Sequence, residues 1–307
     1  MTDTPLETAN RIPPLLSGDF LRRLELLDLV TKKILRGEVR GEKRSARKGP
    51  GVEFSDHRAY GPGDDPRTID WNIYMRLQEL RVKLFEVEEN LNLALYVDSS
   101  PSMDYGERNK LRAALKIAGA IGYIGLSHFH RVCLYAPGFW TGPQTGIFAG
   151  KGGRLAFLEK AASLGPTASP ADLGPFVSEI LSLFRGPSLA VILSDFYDTE
   201  ALAPRLNVLA GRKCDIVAIQ IVDRLERDPP FRGRVLLEDA EGGEALPITA
   251  TAELLAAYRQ RFEAHLSRVE HMLSERKIRF ARVDTRTAFD QAVLEILRRG
   301  YILGRSS

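Results

Sequence analysis

Cysteine is scarce in this chain of 307 residues: Cys133 and Cys214 stand alone, each in or beside an apolar segment. That excludes a disulfide framework and a zinc site built on thiolates. Histidine is scarce too, with five. His265 and His271 lie six apart on one helical segment, a spacing that does not bring them to a common metal. Long apolar runs are missing, since nothing approaches the roughly 20 residues that span a bilayer. The best candidate, Ile117 to Leu126, is short, glycine-rich and followed by His128. The opening Met1-Thr2-Asp3-Thr4-Pro5 has neither the basic nor the apolar part of a secretory signal. An excess of one charge is also absent: the net charge is +3, too small by itself to argue for nucleic acid. No Gly-x-Gly-x-x-Gly follows a strand, Gly150-Lys151-Gly152 lacks the spacing and hydroxyl of a phosphate loop, and no Gly-x-Ser-x-Gly exists. What remains is expected to be a reduced, cytoplasmic protein. Its 44% hydrophobic and 27% charged residues suit a soluble chain with a sizeable core.

From Leu91 onward, apolar strands alternate with helical segments. Strands are predicted at Leu93 to Val97, Val132 to Ala136, Ser188 to Ser194, Asp215 to Val222 and Ile278 to Val283. Between them lie helices at about Arg108 to His128, Arg154 to Leu164, Asp172 to Phe184, Glu200 to Ala210, Ala252 to Lys277 and Ala288 to Arg299. Such alternation argues for an α/β fold with a doubly wound, mostly parallel sheet. A short strand near Thr145 to Phe148 reads as a hairpin partner of the second strand, and an inserted β-hairpin interrupts the pattern at about 224–250. Two regions follow: residues 1–90 as an N-terminal extension packed on the main domain, and 91–307 as that domain.

The extension begins with an amphipathic helix carrying Leu21, Leu24, Leu27, Val30 and Ile34 at helical spacing. A basic run follows: Lys32, Lys33, Arg36, Arg40, Lys43, Arg44, Arg47 and Lys48. Residues 49–72 are punctuated by glycine and proline and read as a long ordered loop or a set of tight turns. Phe54, Tyr60, Ile69 and Trp71 would anchor it on a packed surface, its Arg and Asp residues would pair with one another, and His57 would hydrogen-bond within it. A helix at Ile73 to Leu80 and an exposed strand at Arg81 to Val87 come next.

The chemistry concentrates at Leu93 to Met103. An uncharged apolar strand ends in Asp98, and hydroxyls follow at Ser100 and Ser102. Hard cations prefer oxygen ligands, and carboxylates with hydroxyls and water suit magnesium or manganese. The same residues also suit a strand-end turn whose serines cap the next helix. A second carboxylate appears at Asp195, after another apolar strand. In doubly wound sheets ligands sit beyond the carboxyl ends of strands where the strand order reverses, so Asp98, Ser100, Ser102 and Asp195 converge if their strands are neighbours there.

Asp98-Ser99-Ser100-Pro101-Ser102 resembles the Asp-x-Ser-x-Ser motif of von Willebrand factor A-type domains. The resemblance implies a metal-ion-dependent adhesion site for Mg2+ or Mn2+, with Asp195 as its second aspartate. Upstream, Glu53-Phe54-Ser55-Asp56-His57-Arg58-Ala59-Tyr60 and Gly63-Asp64-Asp65-Pro66-Arg67-x-Ile69-Asp70-Trp71 resemble the signature of the bacterial family called domain of unknown function 58. The likeness extends over roughly residues 40 to 300. One position departs from it: Ser169-Pro170-Ala171-Asp172-Leu173 has alanine where the family carries threonine, which leaves Thr167, Ser169 or water to fill that place. The resemblance implies a non-enzymatic protein-interaction module. Its expected partner is a MoxR-type AAA+ ATPase, or a client of one, in assembly, maturation or chaperone-like work.

Two rival readings come from other classes. A haloacid-dehalogenase-like phosphohydrolase also places a strand-end aspartate in such a sheet, and Asp195-Phe196-Tyr197-Asp198 superficially fits its acidic motif. That chemistry needs a second acid two residues after the nucleophile to protonate the leaving group, and Ser100 stands there instead. Anion or nucleic-acid binding would rest on the basic run alone. Glu38 and Glu42 dilute that run and no aromatic residues interleave it, so nucleic acid is not the expected partner.

Overall fold

Residues Leu93 to Val97 have no side-chain charge, and every one of them is buried. They alternate between two cores: Leu93, Leu95 and Val97 join one, Ala94 and Tyr96 the other. A strand buried on both faces in this way needs helices above and below it. The computed structural model describes residues 17–38, 48–49, 53–62, 64–86, 92–128, 131–139, 146–168, 170–184, 188–212, 214–239 and 245–299. Residues 1–34 with 91–307 form one compact unit, and residues 35–90 form a second.

In chain order the elements begin with α1 (Gly18–Glu38), β1 (Lys48–Gly49), β2 (Glu53–Ala59), α2 (Trp71–Leu77) and β3 (Arg81–Glu86). The larger unit continues with β4 (Asn92–Val97), α3 (Lys110–His128), β5 (Arg131–Tyr135), β6 (Ile147–Ala149), α4 (Arg154–Ala162) and α5 (Gly174–Leu183). Then come β7 (Ser188–Ser194), α6 (Thr199–Ala210), β8 (Cys214–Val222), α7 (Arg224–Arg227), β9 (Gly233–Leu237) and β10 (Leu246–Ala250). The helix α8 (Ala252–Glu275), β11 (Arg279–Asp284) and α9 (Phe289–Arg298) complete the described chain.

Six strands form the central sheet in the order β11-β8-β7-β4-β5-β6. All neighbours are parallel except the edge strand β6, which returns antiparallel along β5 as the predicted hairpin. Winding starts at β4 and proceeds to β5 on one side and to β7 on the other, so the order reverses between β4 and β7. One face is covered by α3, α4, α9 and the start of α1, whose Phe20, Leu24 and Leu27 are buried at helical spacing. Phe20 also packs against Phe289 in a tilted ring pair with centroids 4.7 Å apart. The other face is covered by α5, α6 and α8. This is the doubly wound α/β fold expected from the alternation, in a von Willebrand factor A-like arrangement. The hairpin β9–β10 forms its own two-stranded sheet. Among the described residues no helix is long and apolar enough to cross a membrane.

The smaller unit corrects the expectation of a loop over 49–72. Residues 53–59 are the strand β2, paired antiparallel with β3 in a three-stranded sheet of order β1-β3-β2, with an irregularity between Phe54 and Asp56. Glycine and proline bracket this strand rather than interrupt it, so its ladder forms unhindered. The expected anchoring by Trp71 is also overturned. Its side chain is 58% exposed and meets only the edge of Tyr74 among the aromatic residues described. Ile69 is buried and Tyr60 half-buried.

The acids of the signature serve the turns. Asp64 pairs with Arg58 at 2.7 Å and accepts from the Gly61 N–H, so the Asp64 carboxyl is held below its usual range, first by that guanidinium. Asp65 accepts from the Arg67 N–H ahead of Pro66, and Asp70 caps α2 while its other oxygen lies 2.9 Å from Nε2 of His57. Gly63, the side chains of Glu53, Phe54 and Asp56, and those of the basic run lie outside the described residues.

Candidate metal and docking site

The Asp98 N–H continues the β4 ladder by donating to the Leu193 carbonyl at 2.9 Å, which fixes the carboxylate at the point where the strand order reverses. Oδ1 of Asp98 accepts from the Ser100 N–H at 3.0 Å, and Oδ2 accepts from the Ser194 hydroxyl at 2.6 Å. The Ser100 and Ser102 hydroxyls lie 3.1 Å apart. Asp98 is fully buried, and its pKa is raised first by burial and then by the charge of Asp195.

Asp195 follows β7 directly, and the next residue, Phe196, has a φ of 59°. A bulky residue rarely adopts that left-handed backbone. Here the turn is held by full burial of the Phe196 ring and by its N–H donating to Ser194 Oγ at 3.0 Å. The Asp195 carbonyl accepts from Gln220 Nε2 at 3.0 Å. The predicted residues Asp98, Ser100, Ser102 and Asp195 all line one cleft. Thr167 stands apart from them. Its N–H and hydroxyl both donate to the Ser99 carbonyl, at 2.8 and 3.2 Å, and its methyl covers Gly138. Ala171, rather than Thr167, lines the cleft.

Two residues that sequence reasoning did not single out complete the cluster. The Lys110 ammonium, with no exposed surface, donates to Asp195 Oδ2 at 2.8 Å and to Glu226 Oε1. Burial works against its charge, but the two carboxylates raise its pKa on balance. Glu226 also accepts from the Tyr197 hydroxyl at 2.9 Å, and its second oxygen closes a capping box with the Asp223 N–H. Lys110 and the segment that carries Glu226 each left a trace in the sequence. A lysine opening α3 faces the wrong end of the helix dipole, and Val222-Asp223 ends a third apolar strand in an acid.

The donors suit a hard divalent cation. Two carboxylates and two hydroxyls offer only oxygen. Asp195 and Glu226 share the single ammonium of Lys110, while burial and the charge of Asp195 raise the pKa of Asp98, so a bound cation would favour the ionised form of that carboxyl. Among the described residues no group of three or more His, Cys, Asp and Glu side chains is placed to hold a metal, so serines and water would have to supply part of any coordination shell.

The cleft has a volume of about 890 Å3 and runs from these oxygens to an apolar region under the β9–β10 hairpin and the first turns of α8. Tyr197 stacks on His265 at 5.2 Å on its wall.

A profile of the family described as "Protein of unknown function DUF58" matches residues 56–271, well over half of the chain. Two mycobacterial relatives, Uncharacterized protein Rv1480 of Mycobacterium tuberculosis and Uncharacterized protein Mb1516 of Mycobacterium bovis, are each 27% identical over 252 residues, spanning 79% of this chain and 79% of the relative. Among solved structures, the conserved hypothetical protein BatB from Bacteroides thetaiotaomicron is 11% identical with a TM-score of 0.45, covering 70% of this chain and 100% of that one. An aerotolerance-related membrane protein from Bacteroides fragilis is 15% identical with a TM-score of 0.40, covering 69% and 97%.

Proposed function

The chain belongs to the DUF58 family, and on that footing we propose that it is a non-enzymatic docking module that engages a protein partner through a divalent cation. Magnesium or manganese would be held by Asp98, Ser100, Ser102 and Asp195, and when bound it would supply a positive centre for a carboxylate of the partner. The observation that carries this reading is that two strand-end aspartates and two serine hydroxyls line one cleft at the reversal of strand order. Lys110 braces the arrangement from behind by pairing with Asp195 and Glu226. Ser100 stands where hydrolysis of a phosphoester would need an acid, which favours docking over catalysis. The resemblance to the family points to a MoxR-type AAA+ ATPase, or its client, as the partner.

A pull-down of a purified MoxR-type ATPase tests this with wild type and Asp98→Ala, each with magnesium and with chelator. Recovery is expected only with wild type in magnesium. Equal recovery in all four samples would overturn cation-mediated docking.

A further inference from the structure

The acid cluster fills only one end of the cleft, and the rest has a composition of its own. Leu225, Phe231, Ile248, Leu254 and Leu255 line its apolar half. Tyr105, Tyr197 and Tyr258 border it with 38%, 45% and 37% of their surface exposed, and Leu254 is 43% exposed. Leaving such area in water forgoes roughly 25 cal/mol for each Å2 that could be covered, and an apolar hollow ringed by tyrosine is the usual composition of a recognition surface. Its volume of about 890 Å3 lies within the ~300–1,000 Å3 of sites that enclose a ligand group.

Charge selects among occupants. Among the described residues six acids line the cleft, namely Asp98, Asp195, Asp198, Glu200, Glu226 and Asp239, against a single arginine, Arg268. Lys110 offsets one of the acids from behind. Burial and Arg268 lower the pKa of His265, so its imidazole adds no positive charge at neutral pH, and its buried Nε2 has no hydrogen-bond partner among the described residues.

We infer that this cleft takes a basic–apolar segment of a partner protein, with a large aliphatic or aromatic side chain in the apolar half and lysine or arginine against the acids of the rim. The occupant follows from charge complementarity, which governs which partner approaches and in what register. An acidic or neutral apolar segment would bring no positive charge to the exposed acids Asp198 and Glu200. The inference uses the same cleft as the docking reading but does not require the cation. If a partner carboxylate does reach the acid end, the residues flanking it are basic.

Fluorescence anisotropy in chelator tests the inference with three labelled peptides: lysine alternating with leucine and phenylalanine, its glutamate counterpart, and its lysine–serine counterpart. The first is expected to bind at least about tenfold more tightly than either of the others. Leu254→Glu, at an exposed site in the first turn of α8 where an acid suits the helix dipole, should weaken it by about tenfold or more. Circular dichroism should show that variant folded, and Ile248→Ser should repeat the loss from the hairpin side. Equal affinity for the lysine and glutamate peptides, equal affinity for the lysine–serine peptide, no binding of any peptide, or unchanged binding in both variants would overturn the inference. Self-association of the wild type that Leu254→Glu abolishes would also overturn it, by assigning the cleft to a second copy of the chain. A separate calorimetric titration with magnesium reads the cation alone. Absence of heat there removes the docking reading and leaves the peptide result standing.

Discussion

The ammonium of Lys110 lies 2.8 Å from Oδ2 of Asp195, and neither side chain has more than a few per cent of its surface in water. A buried ion pair of this kind costs desolvation on both sides and is costlier still when one partner is removed. Lys110→Met should therefore destabilise the protein by about 3–5 kcal/mol, because Asp195 and Glu226 would be left facing each other without a cation. Urea denaturation reads the change. Adding Glu226→Gln to Lys110→Met should return part of the loss. A single variant within about 1 kcal/mol of wild type would show that water already screens this cluster.

Gly106 has a φ of 102°, and a Cβ placed there would come within 2.4 Å of Cγ of Asp223. Asp223 has no room to retreat, since it accepts from the Thr285 hydroxyl at 2.5 Å and from the Leu225 N–H at 2.9 Å. Gly106→Ala combines backbone strain with a collision and should cost about 2 kcal/mol or more. Gly152→Ala, where nothing lies within 4 Å, is the matched control. A thermal melt that placed the two variants together would remove the packing explanation.

Much of this architecture could be read from the chain because it is written locally. Runs such as Leu93 to Val97 and Leu189 to Leu193 declare buried strands by themselves, and an acid at the end of each gave the two carboxylates of the site. The strand β2 was not legible, because its hydrogen bonds come from β3 some 25 residues later and its own composition is polar. Lys110 was missed for the same reason. Its partners are 85 and 116 residues away in sequence, and a lysine beginning a helix looks like surface until the fold closes over it. Trp71 misled in the opposite direction, since aromatic character alone does not bury a residue.

His265 gives the pH dependence a definite sign. Burial, then the charge of Arg268, lowers its pKa in the folded state below the ordinary 6.5. As pH falls through that ordinary value, the unfolded chain takes up a proton that the folded chain refuses, and stability is lost. His265→Phe keeps the stack on Tyr197 but cannot titrate. Between pH 8 and pH 5.5 the wild type should lose more of its melting temperature than this variant does. Parallel curves for the two proteins would place the acid sensitivity elsewhere.

Ala171 lines the cleft beside Asp98, Ser100 and Ser102, at the position where the family resemblance leads one to expect a threonine. If those oxygens hold a divalent cation, the alanine leaves one ligand to water, and a hydroxyl restored there would replace it without adding charge. Ala171→Thr should then tighten manganese binding by about tenfold, equivalent to ~1.4 kcal/mol. Ser102→Ala should weaken binding, because it removes one of the two hydroxyls offered to the cation. Calorimetric titration measures both, and a cation-dependent rise in melting temperature gives an independent readout, since a ligand held only by the folded state stabilises it by mass action. An unchanged affinity in Ala171→Thr, with wild type binding normally, would mean that water already satisfies that coordination position. Absence of binding in both proteins would mean that Lys110 is the only cation the acid pair accepts.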